Sequence, residues 1–239
     1  MPLKRRFSSN FPAVTPLLIL AASVCLFSVT SASASSGWSG YTGSDPVLSL
    51  AATPVEIRID APTPLTGNNL QLLLALSGGD GGLGDMRKKA SQEFSDYLNQ
   101  QVQRRFGEFF DDERVRLVDA GAALTLHTNF SVTIRQKIID IVSGKDYDLE
   151  KGIMTAYGEF RYRVQGTALG AHALREGSVD IARLNLEARY LTRAPTDGGV
   201  VEDTTRQATE RLLEDIAEEV LDQIEDVLDA DALLELTRR

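Results

Sequence analysis

The stretch Gly79-Asp80-Gly81-Gly82-Leu83-Gly84 has the G-x-G-x-x-G spacing that lets backbone N–H groups close on a dinucleotide pyrophosphate. It stands between an apolar run and a helical pattern, as such a site requires, and Asp119 is the acid available for the ribose. Against that chemistry, the helical pattern is about twice the usual length, the interval to Asp119 exceeds ~20 residues, and no second mononucleotide half follows. The loop therefore reads as a flexible strand-to-helix connection. No Walker lysine follows the glycines, since Arg87-Lys88-Lys89 lies past them without the G-K-[ST] order. An anion at the helix start would meet Asp80 and Asp85, which serve better as capping groups.

Asp146, Asp148 and Glu150 resemble the first three ligands of a calcium loop, because hard cations take clustered oxygens. Gly152 comes one place too late and no glutamate closes the loop, so the segment reads as a solvated acidic turn. The two histidines, His127 on a strand face and His172 in a turn, do not make a metal pair. A serine hydrolase elbow, G-x-S-x-G, is absent. The 34 acidic residues leave a carboxylate-based envelope hydrolase open as an alternative, yet none of them stand at a defined catalytic spacing. No catalytic residue, cofactor or metal ligand is assigned.

The remaining constellation is basic. Arg161, Arg163, Arg183 and Arg189 recur on the polar face of alternating segments in an otherwise acidic chain. Ion pairing with Glu159 and Glu187 across a solvated sheet accounts for them. The alternative is a partner-binding surface, and these four arginines are its candidate residues.

Export sets the surroundings in which such a surface acts. Lys4, Arg5 and Arg6 precede an apolar run from Leu17 to Val29, too short to span a bilayer comfortably, and Ala32-Ser33-Ala34 has the small-x-small pattern of a signal-peptidase site. Residues 1–34 read as a cleavable signal, by general secretion because Ser8-Ser9 replaces the apolar pair of a twin-arginine signal. The single cysteine, Cys25, lies inside the apolar run after Val24, where a lipoprotein signal wants a small residue. The mature protein is thus expected to be periplasmic, without lipid and without a thiol, which excludes disulfides and thiolate metal sites. Losing the three signal cations leaves 22 basic against 34 acidic residues, a formal net charge of −12. That charge disfavours nucleic acid and anionic lipid as partners. Another envelope protein is the expected partner, with no membrane span in the mature chain and self-association open.

The elements that carry these residues follow from periodicity. Residues 35–54 read as a flexible Ser/Gly-rich leader and 55–239 as one domain. Val55–Asp60 alternates as a short strand, and Leu70–Leu76 suits a strand covered on both faces. From about Asp85 to Phe109, Ala90, Phe94, Tyr97, Leu98, Val102, Phe106 and Phe109 form the stripe of a long helix. Glu113–Val118 is a further strand. Period two then governs three segments: Leu124–Ile134, Ile153–Leu169, and Ser178–Leu191 with a phase shift, which predict an antiparallel meander. A bulge or bend is expected near Gln136-Lys137. A final helix spans roughly Asp203 to Leu228, followed by a short amphipathic tail. The expectation is a two-layer α+β fold: a mixed sheet, made of a strand-helix-strand unit and a three-strand meander, packed against two long amphipathic helices.

That element order, together with Val115-Arg116-Leu117-Val118-Asp119-Ala120-Gly121-Ala122-Ala123-Leu124, resembles the periplasmic assembly modules. The group includes the curli secretion channel, the lipoprotein activators of penicillin-binding proteins and the amino-terminal domain of the Tol-system periplasmic protein. The small lipoprotein that assists lipopolysaccharide assembly has a similar order. The resemblance covers roughly Leu70 to Leu228 and carries no catalytic or binding motif. It implies a non-catalytic accessory role in building or stabilising an envelope machine. A third reading makes the hairpin of Leu124–Ile134 and Ala156–Val164 a strand pair in an oligomeric outer-membrane pore. Its cost is that the helices would lose the apolar face they need to cover.

Overall fold

The computed structural model describes residues 45–62, 82–167 and 173–238, which form an eight-stranded mixed sheet and three α-helices. In chain order these are β1 (Leu48–Ala52), β2 (Glu56–Asp60), α1 (Gly82–Asp112), β3 (Val115–Val118), β4 (Leu124–Ser143) and β5 (Tyr147–Gly166). Then come β6 (Ala173–Asp180), a 3-10 turn (Ile181–Leu184), β7 (Glu187–Pro195), β8 (Glu202–Asp203), α2 (Thr205–Leu228) and α3 (Ala230–Thr237). The mixed two-layer α+β architecture expected from the periodicity is the one observed. The signal segment 1–34, the apolar run Leu70–Leu76, residues 79–81 of the glycine motif and His172 lie outside the described residues. Of the glycine motif, Gly82 to Gly84 already belong to α1.

β1 lies between β3 and β4, parallel to both, and β2 continues the parallel pairing along β4 from Asn129 to Thr133. β1 falls inside the stretch 35–54 read as leader. Its run Leu48-Ser49-Leu50-Ala51-Ala52 is too short and too rich in alanine to alternate, as expected for a parallel strand covered on both faces. β4 and β5 form the spine of the sheet, a hairpin of two 20-residue strands with a register shift between Ile138 and Asp140, close to the expected bulge.

The third meander strand is broken in two. β6 pairs with Glu159–Gln165 of β5 and β7 with Tyr147–Thr155, and the 3-10 turn bridges the gap opposite Ala156-Tyr157-Gly158. The phase shift read in Ser178–Leu191 marks this break. Asn185, at φ 54°, closes the turn, a left-handed position that asparagine tolerates better than most residues. On β5 the gap lies opposite Gly158, whose φ is 129°.

One core joins the sheet to the helices. α1 buries Ala90, Phe94, Leu98, Val102, Phe106 and Phe110, an unbroken i,i+4 ladder; Phe110 takes the place expected for Phe109, which is only half-buried. α2 buries Leu212, Leu213, Ile216, Val220 and Ile224. Phe160 stands at the centre, 4.5 Å from Phe130 directly across the β4–β5 ladder and 6.4 Å, edge-on, from Phe106 of α1. The two helices run in the same sense, since Glu93 meets Arg206 while Arg105 meets Glu218 at 2.6 Å and Glu214 at 3.6 Å. The apolar faces that a membrane barrel would turn to lipid, Phe130, Val132, Phe160 and Val164, are covered by this layer. Among the described residues no helix is long and apolar enough to cross a membrane.

The acidic face of α2 crowds like charges around Asp215. Burial, then the neighbouring Glu214 and Glu218, raise the pKa of Asp215, against the opposing pull of Arg211 and Arg105. A raised carboxyl destabilises the fold where it is ionised, and the penalty disappears as pH falls through its folded pKa. Asp215→Asn should therefore stabilise the protein at neutral pH by about 0.2–0.5 kcal/mol, the size of like-charge repulsion on a helix. Denaturation curves at neutral and acid pH check this: the gain should shrink on acidification, and a gain that grows would refute the assignment.

Candidate functional site

The face of the sheet turned away from the helices bears a polar hollow of about 950 Å³, lined from β2, β4, β5 and β6 and from Thr53 between β1 and β2. Strand geometry builds it. Alternate residues of a strand share a face, and directly paired residues of neighbouring strands share it too, so side chains line up in rows across the sheet. One row runs Glu56, Asn129, Arg161, Ser178; the next runs His127, Arg163, Glu176; a third runs Arg58, Ser131, Glu159, Asp180.

Hydrogen bonds hold much of this surface in place. Asn129 donates through Nδ2 to Glu56 Oε2 at 3.1 Å. The imidazole of His127 is gripped on both nitrogens, Nδ1 lying 3.2 Å from Thr53 Oγ1 and Nε2 3.0 Å from Gln165 Oε1. Arg161 Nε donates to Glu159 Oε2 at 2.8 Å, and Arg163 Nε lies 3.3 Å from Glu176 Oε2 across the β5–β6 ladder.

These bonds decide what the carboxylates can do. Hydrogen bonds from Arg161 and then Ser178 hold the Glu159 carboxyl below its ordinary pKa, and Glu159 in turn raises that of Arg161. Such a group is a fixed negative charge over the working pH range. A general acid needs the opposite shift. Among the described residues, the carboxylate raised by its surroundings is Asp215, on α2. Elsewhere, Asp148 and Glu150 of the acidic turn enter β5, where Glu150 Oε1 accepts from Tyr190 Oη at 2.8 Å, and no metal-binding cluster forms among the described residues.

The four arginines do not act as one patch. Arg161 and Arg163 sit side by side in the hollow. Arg183 lies outside it on the 3-10 turn, highly exposed, with Nε 3.4 Å from Asp180 Oδ2. Arg189 projects from β7 opposite Ile153, outside the hollow. The pairing expected with Glu159 is present, but within β5 from Arg161; the cross-strand acid is Glu176. Sequence reasoning missed Arg58, Thr53 and Gln165 as parts of the site. Arg58 alternates correctly in β2, but only the parallel pairing of β2 with β4 brings it beside Arg161 and Glu159.

No protein-family model and no curated protein matches the chain. Among solved structures it is similar to a Helicobacter pylori protein named "putative neuraminyllactose-binding hemagglutinin homolog", at 11% identity and TM-score 0.48, over 82% of this chain and 95% of that one. It is also similar to a "putative lipoprotein" from Caulobacter crescentus, at 15% identity and TM-score 0.28, over 61% of this chain and 81% of that one. A third is a "hypothetical protein" from Chlamydia trachomatis, at 12% identity and TM-score 0.31, over 74% of this chain and 95% of that one.

Proposed function

We propose that the chain is a non-catalytic periplasmic accessory or assembly protein that docks another envelope component on the polar hollow, with Arg161 and Arg163 at its centre. The observation that carries this reading is the set of cross-strand rows: long polar side chains fixed by hydrogen bonds on a sheet face that the core does not need. Holding those groups in place before binding lowers the entropy lost on docking. Arg58, Arg161 and Arg163 alternate with Glu56, Glu159 and Glu176 in the hollow, a pattern that selects a partner of complementary charge arrangement rather than any polyanion. The signal segment and the resemblance to periplasmic assembly modules supply the compartment and the class of role.

The test is photo-crosslinking in cells from positions 161 and 183, with Arg161→Glu and Arg163→Glu combined as the disabling variant. Position 161 should trap one specific envelope protein, position 183 should trap it more weakly, and the double variant should weaken capture at least tenfold while its unfolding curve stays unchanged. Absence of any specific product from position 161, in a folded protein at native abundance, overturns the reading. For a carboxylate hydrolase, the lowered pKa of Glu159 opposes that one residue as proton donor.

A further inference from the structure

The outer half of β4 is an edge that nothing described here covers. β1 takes Leu124–Leu126 of β4 and β2 takes Asn129–Thr133, whereas Ile134–Ser143 pairs only with β5. The opposite side of the hairpin is closed, since β7 pairs with β5 along Tyr147–Thr155 and β8 pairs with β7. Among the described strands this edge also exposes the most large apolar side chains: Ile138, Ile139, Ile141 and Val142 are 49%, 63%, 62% and 47% exposed. Free N–H and C=O groups beside β-branched side chains template further pairing, which edge charges, bulges, proline or short length restrict. Here Arg135, Lys137, Asp140 and the shift between Ile138 and Asp140 limit that pairing to a register that suits them, and no proline interrupts the ten residues.

We propose that this edge pairs with the same edge of a second copy, antiparallel about a two-fold axis perpendicular to the sheet, so that two hairpins join into one continuous sheet. Charge and face select the register. Placing Lys137 opposite Asp140 of the second copy creates that ion pair twice by symmetry. The same register sets Gln136 opposite Ile141 and Arg135 opposite Val142. Each pairing joins residues on one side of the sheet, because the shift between Ile138 and Asp140 changes the phase of β4 midway. An antiparallel ladder requires that agreement. Each copy uses the same edge, so the contact is isologous and closes at two copies, the commonest symmetric assembly.

The experiment is sedimentation of the full protein, as the cell processes it, over a concentration series, with amide hydrogen exchange read at 135–142. A dimer is expected, its amides at 135–142 slowed at high concentration and fast after dilution. Ile139→Lys and Ile141→Lys, at the two most exposed positions, should weaken dimerisation at least tenfold and leave circular dichroism unchanged. Lys137→Asp should weaken it too, and Lys137→Asp with Asp140→Lys should restore it. A monomer at every concentration overturns the proposal, and amides protected in that monomer would show the edge covered from within the chain. A dimer indifferent to Ile141→Lys, or a double charge exchange that does not restore pairing, overturns it as well. Crosslinking from position 161 is independent of all these readouts, so the docking role can fail while the dimer stands, and the reverse.

Discussion

Gly158→Ala should deprive the chain of its native fold, expressed as inclusion material or as a loss of at least about 4–5 kcal/mol of stability, the range reserved for the severest point changes. A Cβ added at this position would stand 1.9 Å from the carbonyl oxygen of Ser131 and 3.2 Å from the Cα of Val132, both backbone atoms of the paired strand. Neither can retreat without opening the β4–β5 ladder. The φ of 129° adds a conformation that side chains resist in any surroundings. The comparison is Gly121→Ala, at φ 84° with nothing within 4 Å, where only the left-handed penalty of about 1–2 kcal/mol applies. Parallel urea titrations of the two variants measure the difference. Equal losses would mean that the close approach at Gly158 is not needed. On β5 the position separates the hollow, which begins at Glu159, from the outer hairpin.

Phe160→Ala comes next, with an expected loss of about 3–5 kcal/mol for truncating a fully buried aromatic. Phe160 is wholly inaccessible, and it joins Phe130, Phe106 and Tyr162 in one aromatic cluster between sheet and helix. At this chain length the loss corresponds to a fall in melting temperature of roughly 6–20 °C. Because Phe160 lies between Glu159 and Arg161 in β5, the cavity should also loosen the rows above it. Crosslinking from position 161 should then spread over several products in whatever fraction still folds. A loss below about 0.5 kcal/mol, within the range of ordinary surface changes, would place the centre of the core elsewhere.

Both positions show how unevenly the fold could be read from residues alone. Phe160 was legible, since it alternates with Tyr162 and Val164 in a period-two pattern that needs no partner to be recognised. Gly158 was not. Nothing in Ala156-Tyr157-Gly158-Glu159 signals a positive φ, because the need arises from the backbone of β4 passing against it. The paired aromatics over glycine follow the same rule. Tyr190 lies across from Gly152 and Tyr162 across from Gly177, each ring filling the space that a Cβ would need, and only the register shows this.

The site divides in the same way. Arg161 and Arg163 could be placed on a polar face because alternation is a local property of one strand. Arg183 and Arg189 shared that pattern yet were carried elsewhere. The strand that seemed to continue through them turns at Ile181–Leu184 and changes its partner segment on β5.

By itself, the order of residues determined which faces are dry, where the helices run, and that three alternating segments follow a strand-helix-strand unit. These features depend on side-chain period and on neighbours within a few positions. The tertiary structure alone decided that β1 and β2 pair in parallel with β4, that Arg58 and His127 join Arg161 and Arg163, and that no described strand pairs with the outer edge of β4. Those outcomes rest on contacts between residues dozens of positions apart, selected by how the whole core closes, and no local pattern encodes them.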